Sequence, residues 1–92
     1  MKSMKTEAVN IFVRRAVGAN AARLREARGI TQSGLARMVD ANRSYVNQFE
    51  AGKQNISVDY LVKLADGLDV PMVEFFSGLE GSSPSKLVEG EE

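Results

Sequence analysis

The amino-acid sequence predicts an all-α fold, a compact bundle of five helices, and three observations carry that expectation. Apolar residues recur at helical spacing in successive segments, and no strand-like alternation of useful length interrupts them. The segments are bracketed by residues that start and stop helices: Thr31, Asn42 and Ser57 ahead of one, Gly29 and Gly52 behind one, Pro71 at a first helical position. Ninety-two residues can close one core but hold too little interior to divide between two.

The first helix is expected from about Ala8 to Arg28, with Phe12, Val13, Val17, Ala21 and Leu24 spaced by one, three or four residues. Arg25 and Arg28 in its last turn suit the negative end of the helix dipole, and Gly29 ends it. Gly18 costs about 1 kcal/mol against alanine inside a helix, so residues 8–17 form either the start of this helix or a separate one. Thr31 caps a short second helix, about Gln32 to Val39, with Ile30 and Leu35 flanking the cap as a hydrophobic staple. Leu35, Ala36 and Val39 face inward, and Asp40-Ala41-Asn42 forms a tight break. Asn42 caps a third helix, Arg43 to about Ala51, that turns Val46 and Phe49 inward before Gly52 stops it. Ser57 caps a fourth, Val58 to about Gly67, with Leu61, Leu64 and Ala65 inward and Leu68 closing it. A fifth runs from about Pro71 to Gly78, where the missing proline N–H costs nothing. The chain then reads Gly-Ser-Ser-Pro-Ser and ends Glu-Gly-Glu-Glu. The expected organisation is a helical N-terminal extension over residues 1–16, a folded unit over 17–78, and a flexible acidic tail or linker over 79–92.

Cysteine and histidine are both absent, which removes disulfides, thiolate nucleophiles, the usual zinc sites and imidazole acid–base catalysis. The acids are scattered and make no recognisable catalytic pair, so the expectation is a protein that is not an enzyme and uses no metal or cofactor. No apolar run reaches the length of a membrane span. The broken apolar patch Ala8 to Val13 runs into Arg14 and Arg15 rather than a cleavage site, so a secretory signal is not expected and a cytoplasmic protein is.

Formal charge is zero, yet it is unevenly spread. Residues 1–65 hold eleven Lys or Arg against five acids, a balance of +6, and residues 66–92 hold Lys86 against seven acids, a balance of −6. Charges act over about 10 Å at ordinary salt, so the front of the molecule can attract phosphate although the whole is neutral. Taken alone, the same arginines could simply solvate helix faces.

A short helix, a break of three or four residues and a second short helix form the helix-turn-helix unit that presents a recognition helix to DNA. With Val46 and Phe49 anchoring the third helix from behind, Arg43, Ser44, Asn47 and Gln48 project outward. Arginine pairs bidentately with guanine and Asn or Gln with adenine, each good pair being worth roughly 1–3 kcal/mol of discrimination. Ser44 is short enough for a single bond or a close backbone approach.

The run Thr31-Gln-Ser-Gly-Leu-Ala-Arg-Met-Val-Asp-Ala-Asn-Arg-Ser-Tyr-Val-Asn-Gln-Phe-Glu-Ala-Gly-Lys53 resembles the Cro and phage-repressor type of helix-turn-helix, the xenobiotic response element family, whose fold is lambda-repressor-like. The lead-in Leu24 to Gln32 and the sequel Leu61 to Val70 resemble it too, so the likeness covers about residues 17–76. The resemblance implies that Gln32 holds a phosphate at the start of the second helix and that Gln48 reads or supports a base. Asn42-Arg-Ser-Tyr-Val46 is similar to the corresponding segment of restriction-modification controller proteins, which implies a DNA contact for Arg43. Asp40 stands where the family usually has a glycine of positive φ.

Asn42, Tyr45, Lys53, Gln54 and Asn55 complete the expected phosphate contacts. Tyr45 has a second reading as a cover for the contact between the second and third helices, and Lys53 to Asn55 as a solvated loop. Glu50 reads as structural, paired with an arginine of the first or second helix such as Arg37 or receiving backbone N–H groups. Pro71, Met72, Phe75 and Phe76 form an expected homodimer surface, with closure of the protomer core as the other reading of the two phenylalanines. The function expected is a transcriptional regulator that binds an inverted repeat in double-stranded DNA as a homodimer. The competing reading is an antitoxin-like or other protein-interaction module.

Overall fold

The computed structural model describes residues 4–81, Ser83 and Pro84. Its helices are α1 (Met4–Ala27), α2 (Gln32–Met38), α3 (Arg43–Glu50) and α4 (Val58–Leu68), followed by a 3₁₀ turn over Met72–Phe76. No strand occurs among the described residues.

The starts of the three shorter helices follow from side-chain caps. Thr31 Oγ1 accepts the Gly34 N–H at 2.9 Å, Asn42 Oδ1 the Tyr45 N–H at 2.8 Å, and Ser57 Oγ the Tyr60 N–H at 3.1 Å. Each satisfies one amide that the first helical turn leaves without a partner. Two of the stops use aspartate in the left-handed region, Asp40 at φ 60° after α2 and Asp69 at φ 57° after α4. Aspartate tolerates that conformation better than most residues, which is why it can stand at position 40. The end of α4 gains a further partner from the loop after α1: the Arg28 guanidinium donates through Nε to the Leu68 carbonyl and through Nη2 to the Asp69 carbonyl at 2.8 Å.

Among the described residues there are four α-helices, not the five expected. Pro71 does not open an α-helix; it stays extended at φ −65°, ψ 145°, and the five residues behind it wind as 3₁₀. Asn20 of α1 explains the short, tight segment, because its Nδ2 donates to the Phe75 carbonyl at 2.9 Å and to the Ser77 carbonyl at 3.0 Å. With those carbonyls drawn to α1, the chain closes over the core instead of running on as a helix.

Helix α1 is continuous across Gly18. The glycine is there for packing: a Cβ at residue 18 would lie 2.4 Å from the Phe49 carbonyl oxygen and 2.7 Å from that of Glu50. The inward stripe of α1 is Val9, Val17 and Ala21, with Val13 packed beside it, whereas Phe12 is exposed. The tail expected over 79–92 falls, beyond Gly81, Ser83 and Pro84, outside the described residues.

The core gathers Val17 and Ala21 of α1, Leu35, Ala36 and Val39 around α2, Val46 and Phe49 of α3, Leu61, Leu64, Ala65 and Leu68 of α4, and Phe75 of the 3₁₀ turn. Phe75 has no exposed surface and contributes roughly 3 kcal/mol by burial. Helices of seven and eight residues are marginal by themselves, so α2 and α3 owe their existence to this shared core and to their caps.

Candidate nucleic-acid interface

Helix α3 is anchored by Val46 and Phe49, which are 2% and 3% exposed. One helical periodicity then fixes the opposite face: Arg43, Ser44, Asn47 and Gln48 are all exposed. Among the described residues the Arg43 side chain makes no hydrogen bond or ion pair, so its guanidinium stands free at the start of the helix. Gln48 Oε1 accepts from Gln54 Nε2 at 3.4 Å, which links the helix to the loop behind it.

Beneath this face lies a polar chain that the sequence suggests only in part. Glu50 is 5% exposed in its side chain and receives Arg25 of α1 bidentately, Nε at 2.7 Å and Nη2 at 3.0 Å. The Arg25 Nη1 donates to the Ile30 carbonyl at 2.8 Å. The hydrogen bonds from Arg25 to Glu50, outweighing the desolvation that opposes them, raise the Arg25 pKa above its ordinary value and keep it charged. Gln32 Nε2 donates to Glu50 Oε1 at 2.9 Å, and Gln32 Oε1 accepts from Asn47 Nδ2 at 3.3 Å. The sequence offers Arg37 as a partner for Glu50, but Arg37 is exposed and Arg25 takes that place. The sequence does carry a signal for Arg25: it lies four residues after Ala21 and eight after Val17, on the inward stripe of α1.

Tyr45 is half-buried and stacks on Tyr60 of α4, ring centroids 4.9 Å apart and planes at 29°. Lys63 Nζ sits 5.5 Å from the centre of the Tyr60 ring. Burial, and then the neighbouring Tyr60, raise the Tyr45 phenol above its ordinary pKa, leaving a neutral hydroxyl. Through this stack the ring packs α3 against α4. Of the remaining phosphate candidates, Lys53 and Asn55 are exposed, Asn42 is exposed at the head of α3, and Gln32 and Gln54 are half-buried or at the rim of the surface. Gln54 and Asn55 stand on the rim of a groove of about 440 Å³ walled by Val9, Val13, Ile56 and Phe76. Gly52, at φ 79°, brings the loop against α1 so closely that a Cβ there would lie 2.6 Å from Arg15 Cγ.

The four residues expected to meet a second copy divide. Phe75 is wholly buried in the protomer, Met72 half-buried, Pro71 exposed, and Phe76 37% exposed. Val58, Val62 and Val73, not singled out by sequence, are exposed as well. No group of side chains able to hold a metal ion and no helix long and apolar enough to cross a membrane occurs among the described residues.

A family model described as helix-turn-helix matches residues 22–75. Over 71 residues the chain is 39% identical to the HTH-type transcriptional regulator PrpR of Mycobacterium tuberculosis, a match covering 77% of this chain and 14% of that protein's length. It is 34% identical over 56 residues to control protein C.MunI of a Mycoplasma species, covering 61% of this chain and 76% of that one. The crystal structure of the restriction-modification controller protein C.AhdI from Aeromonas hydrophila superposes with a TM-score of 0.70 at 35% identity, over 72% of this chain and 96% of that one. The clp gene regulator ClgR of Corynebacterium glutamicum, at 23% identity, shares the fold with a TM-score of 0.71, over 86% of this chain and 83% of that one. The matched residues 22–75 are more than half of the chain and run from the end of α1 into the 3₁₀ turn. The chain thus belongs to the helix-turn-helix family of the Cro and phage-repressor type, DNA-binding transcription regulators and not enzymes.

Proposed function

We propose that this chain binds an inverted-repeat operator in double-stranded DNA as a homodimer, with α3 lying in the major groove. The observation that carries the reading is the division of α3 into a buried face, Val46 and Phe49, and an exposed face led by Arg43. Arg43, Ser44, Asn47 and Gln48 contact base edges; Gln32, Asn42, Tyr45, Lys53, Gln54 and Asn55 hold phosphates on either side. One such helix reads only a few base pairs, so two-fold pairing supplies the remaining affinity and specificity. Pro71, Met72 and Phe76 form the pairing surface, seated on the buried Phe75. The protein works in the cytoplasm.

Selection of bound oligonucleotides from a random pool tests this reading. The expected product is an inverted repeat with half-site centres about 10 base pairs, or a multiple, apart. Affinity for it falls steeply as salt rises, because phosphate contacts release counterions. Arg43→Ala relaxes the preference at one base pair of each half-site. A pool without enrichment, together with a flat salt dependence, would refute DNA recognition and point to a protein-interaction module instead.

A further inference from the structure

The polar chain beneath α3 has a direction. A carboxylate has acceptor oxygens only, whereas a side-chain amide has a donor end and an acceptor end. Glu50 is held in place by Nε and Nη2 of Arg25 and takes a third hydrogen from Gln32 Nε2 at 2.9 Å. An acceptor at that point allows Gln32 only one orientation: its NH₂ faces Glu50, and its carbonyl turns outward toward α3. That carbonyl in turn can meet only a donor, and it meets Asn47 Nδ2 at 3.3 Å. Asn47 therefore has its NH₂ toward Gln32, with Oδ1 and the second N–H left to the exposed side.

We propose that Glu50 is a positioning residue for base recognition: acting through Gln32, it fixes which way round Asn47 presents its amide in the major groove. This rests on the reading that α3 contacts bases. An acceptor beside a donor, in that order, is what an adenine edge requires, since its N6–H donates and its N7 accepts. Rotating the amide by half a turn exchanges the two and sets donor against donor. The Arg25–Glu50 pair thus does more than join α1 to α3. It supplies a fixed polarity in the interior, and two amides carry that polarity to the surface.

The test compares base preference at each operator position for the wild type, Asn47→Ala, Glu50→Gln and Gln32→Met, using oligonucleotide selection on the full chain, with far-UV circular dichroism to show folding. The amide introduced by Glu50→Gln can donate as well as accept, so the polar chain loses its direction. Gln32→Met cuts the chain while leaving the Arg25–Glu50 pair whole, so it stays informative if Glu50→Gln fails to fold. The expected result is that a discrimination of roughly 5- to 150-fold at one base pair falls to about twofold in Asn47→Ala, in Gln32→Met and in folded Glu50→Gln, at the same position in all three, and a folded Glu50→Gln that keeps the full preference overturns the role of Glu50. Loss of a phosphate anchor alone would lower affinity for all sequences equally and leave that preference standing. Should Asn47→Ala relax the position while folded Gln32→Met keeps it, the positioning role falls and α3 remains the reader. If Asn47→Ala relaxes no position, Asn47 does not read a base and the proposal falls with that assignment.

Discussion

Gly18→Ala separates what helix propensity says from what packing says. In the middle of a 24-residue helix, alanine is favoured over glycine by about 1 kcal/mol. At residue 18, however, the added Cβ would meet the Phe49 carbonyl oxygen at 2.4 Å, the Glu50 carbonyl oxygen at 2.7 Å and the Glu50 carbonyl carbon at 3.0 Å. All three are backbone atoms of the last turn of α3, so no change of rotamer makes room. Reaching an ordinary contact of 3.4 Å requires α1 and α3 to part by about 1 Å. Overpacking costs about 1–3 kcal/mol, and a rigid backbone neighbour puts this site at the upper end. After the propensity gain is set against it, the net loss is about 2 kcal/mol. For a domain of this size that lowers Tm by about 8–16 °C. Thermal and urea unfolding followed by far-UV circular dichroism measure the loss, with Ala19→Gly on the exposed face as a control that loses only about 1 kcal/mol. A Gly18→Ala protein as stable as the wild type, or more stable, would refute the close approach of α1 to α3.

Four further outcomes are expected. Gly52→Ala loses about 1–2 kcal/mol from its left-handed φ of 79° alone, and more from the contact with Arg15, as read by the urea midpoint. Asn42→Ala and Ser57→Ala each cost about 1 kcal/mol in the same assay through loss of a cap, and the former also weakens DNA binding because it frays the start of α3. Glu50→Ala leaves Arg25 buried without its partner and costs about 3–5 kcal/mol, several times the loss for any exposed ion pair. Tyr45 titrates above the ordinary tyrosine value of 10.0 in the folded state, so the stability it contributes is complete below that pH and is lost as pH rises through the raised value. Denaturation midpoints measured across that alkaline range therefore fall less in Tyr45→Phe than in the wild type.

What is legible in the sequence is what is decided locally. Thr31, Asn42 and Ser57 cap helices because a short side chain can reach its own next turn, and that chemistry depends on nothing distant. The outward set on α3 follows from the spacing of Val46 and Phe49 for the same reason. Elements settled by distant partners read less well. Residues 71–78 have the composition of a helix, but their winding is fixed by Asn20, more than fifty positions earlier. Arg25 suits the helix dipole by its position, and only the approach of Glu50 from α3 makes it a buried ion-pair partner. The spacing of Phe12 points inward, yet the residue lies to one side of the Val9, Val17, Ala21 stripe that meets the core. Gly18 argues locally against a continuous helix because its reason, the backbone of α3, is out of view in the sequence.

The division of α3 into two faces also separates two kinds of variant. Residues under the helix, Gly18, Arg25, Val46, Phe49 and Glu50, hold an eight-residue segment that would not be helical alone. Changes there move stability and DNA binding together, since they shift the platform on which every reading side chain stands. Arg43, Ser44 and Gln48 lie outside the core, and surface substitutions of that kind stay within about 0.5 kcal/mol in stability. On the proposed reading of α3, changes among these three alter recognition at constant stability. Asn47 and Gln32 fall between the two groups, near the surface yet tied through hydrogen bonds to the buried ion pair. A plot of binding loss against stability loss for these positions therefore has two branches: one along the binding axis for the exposed face, and one sloping for the buried face. Gln32 variants leave the first branch only as far as the Glu50 hydrogen bond contributes to folding.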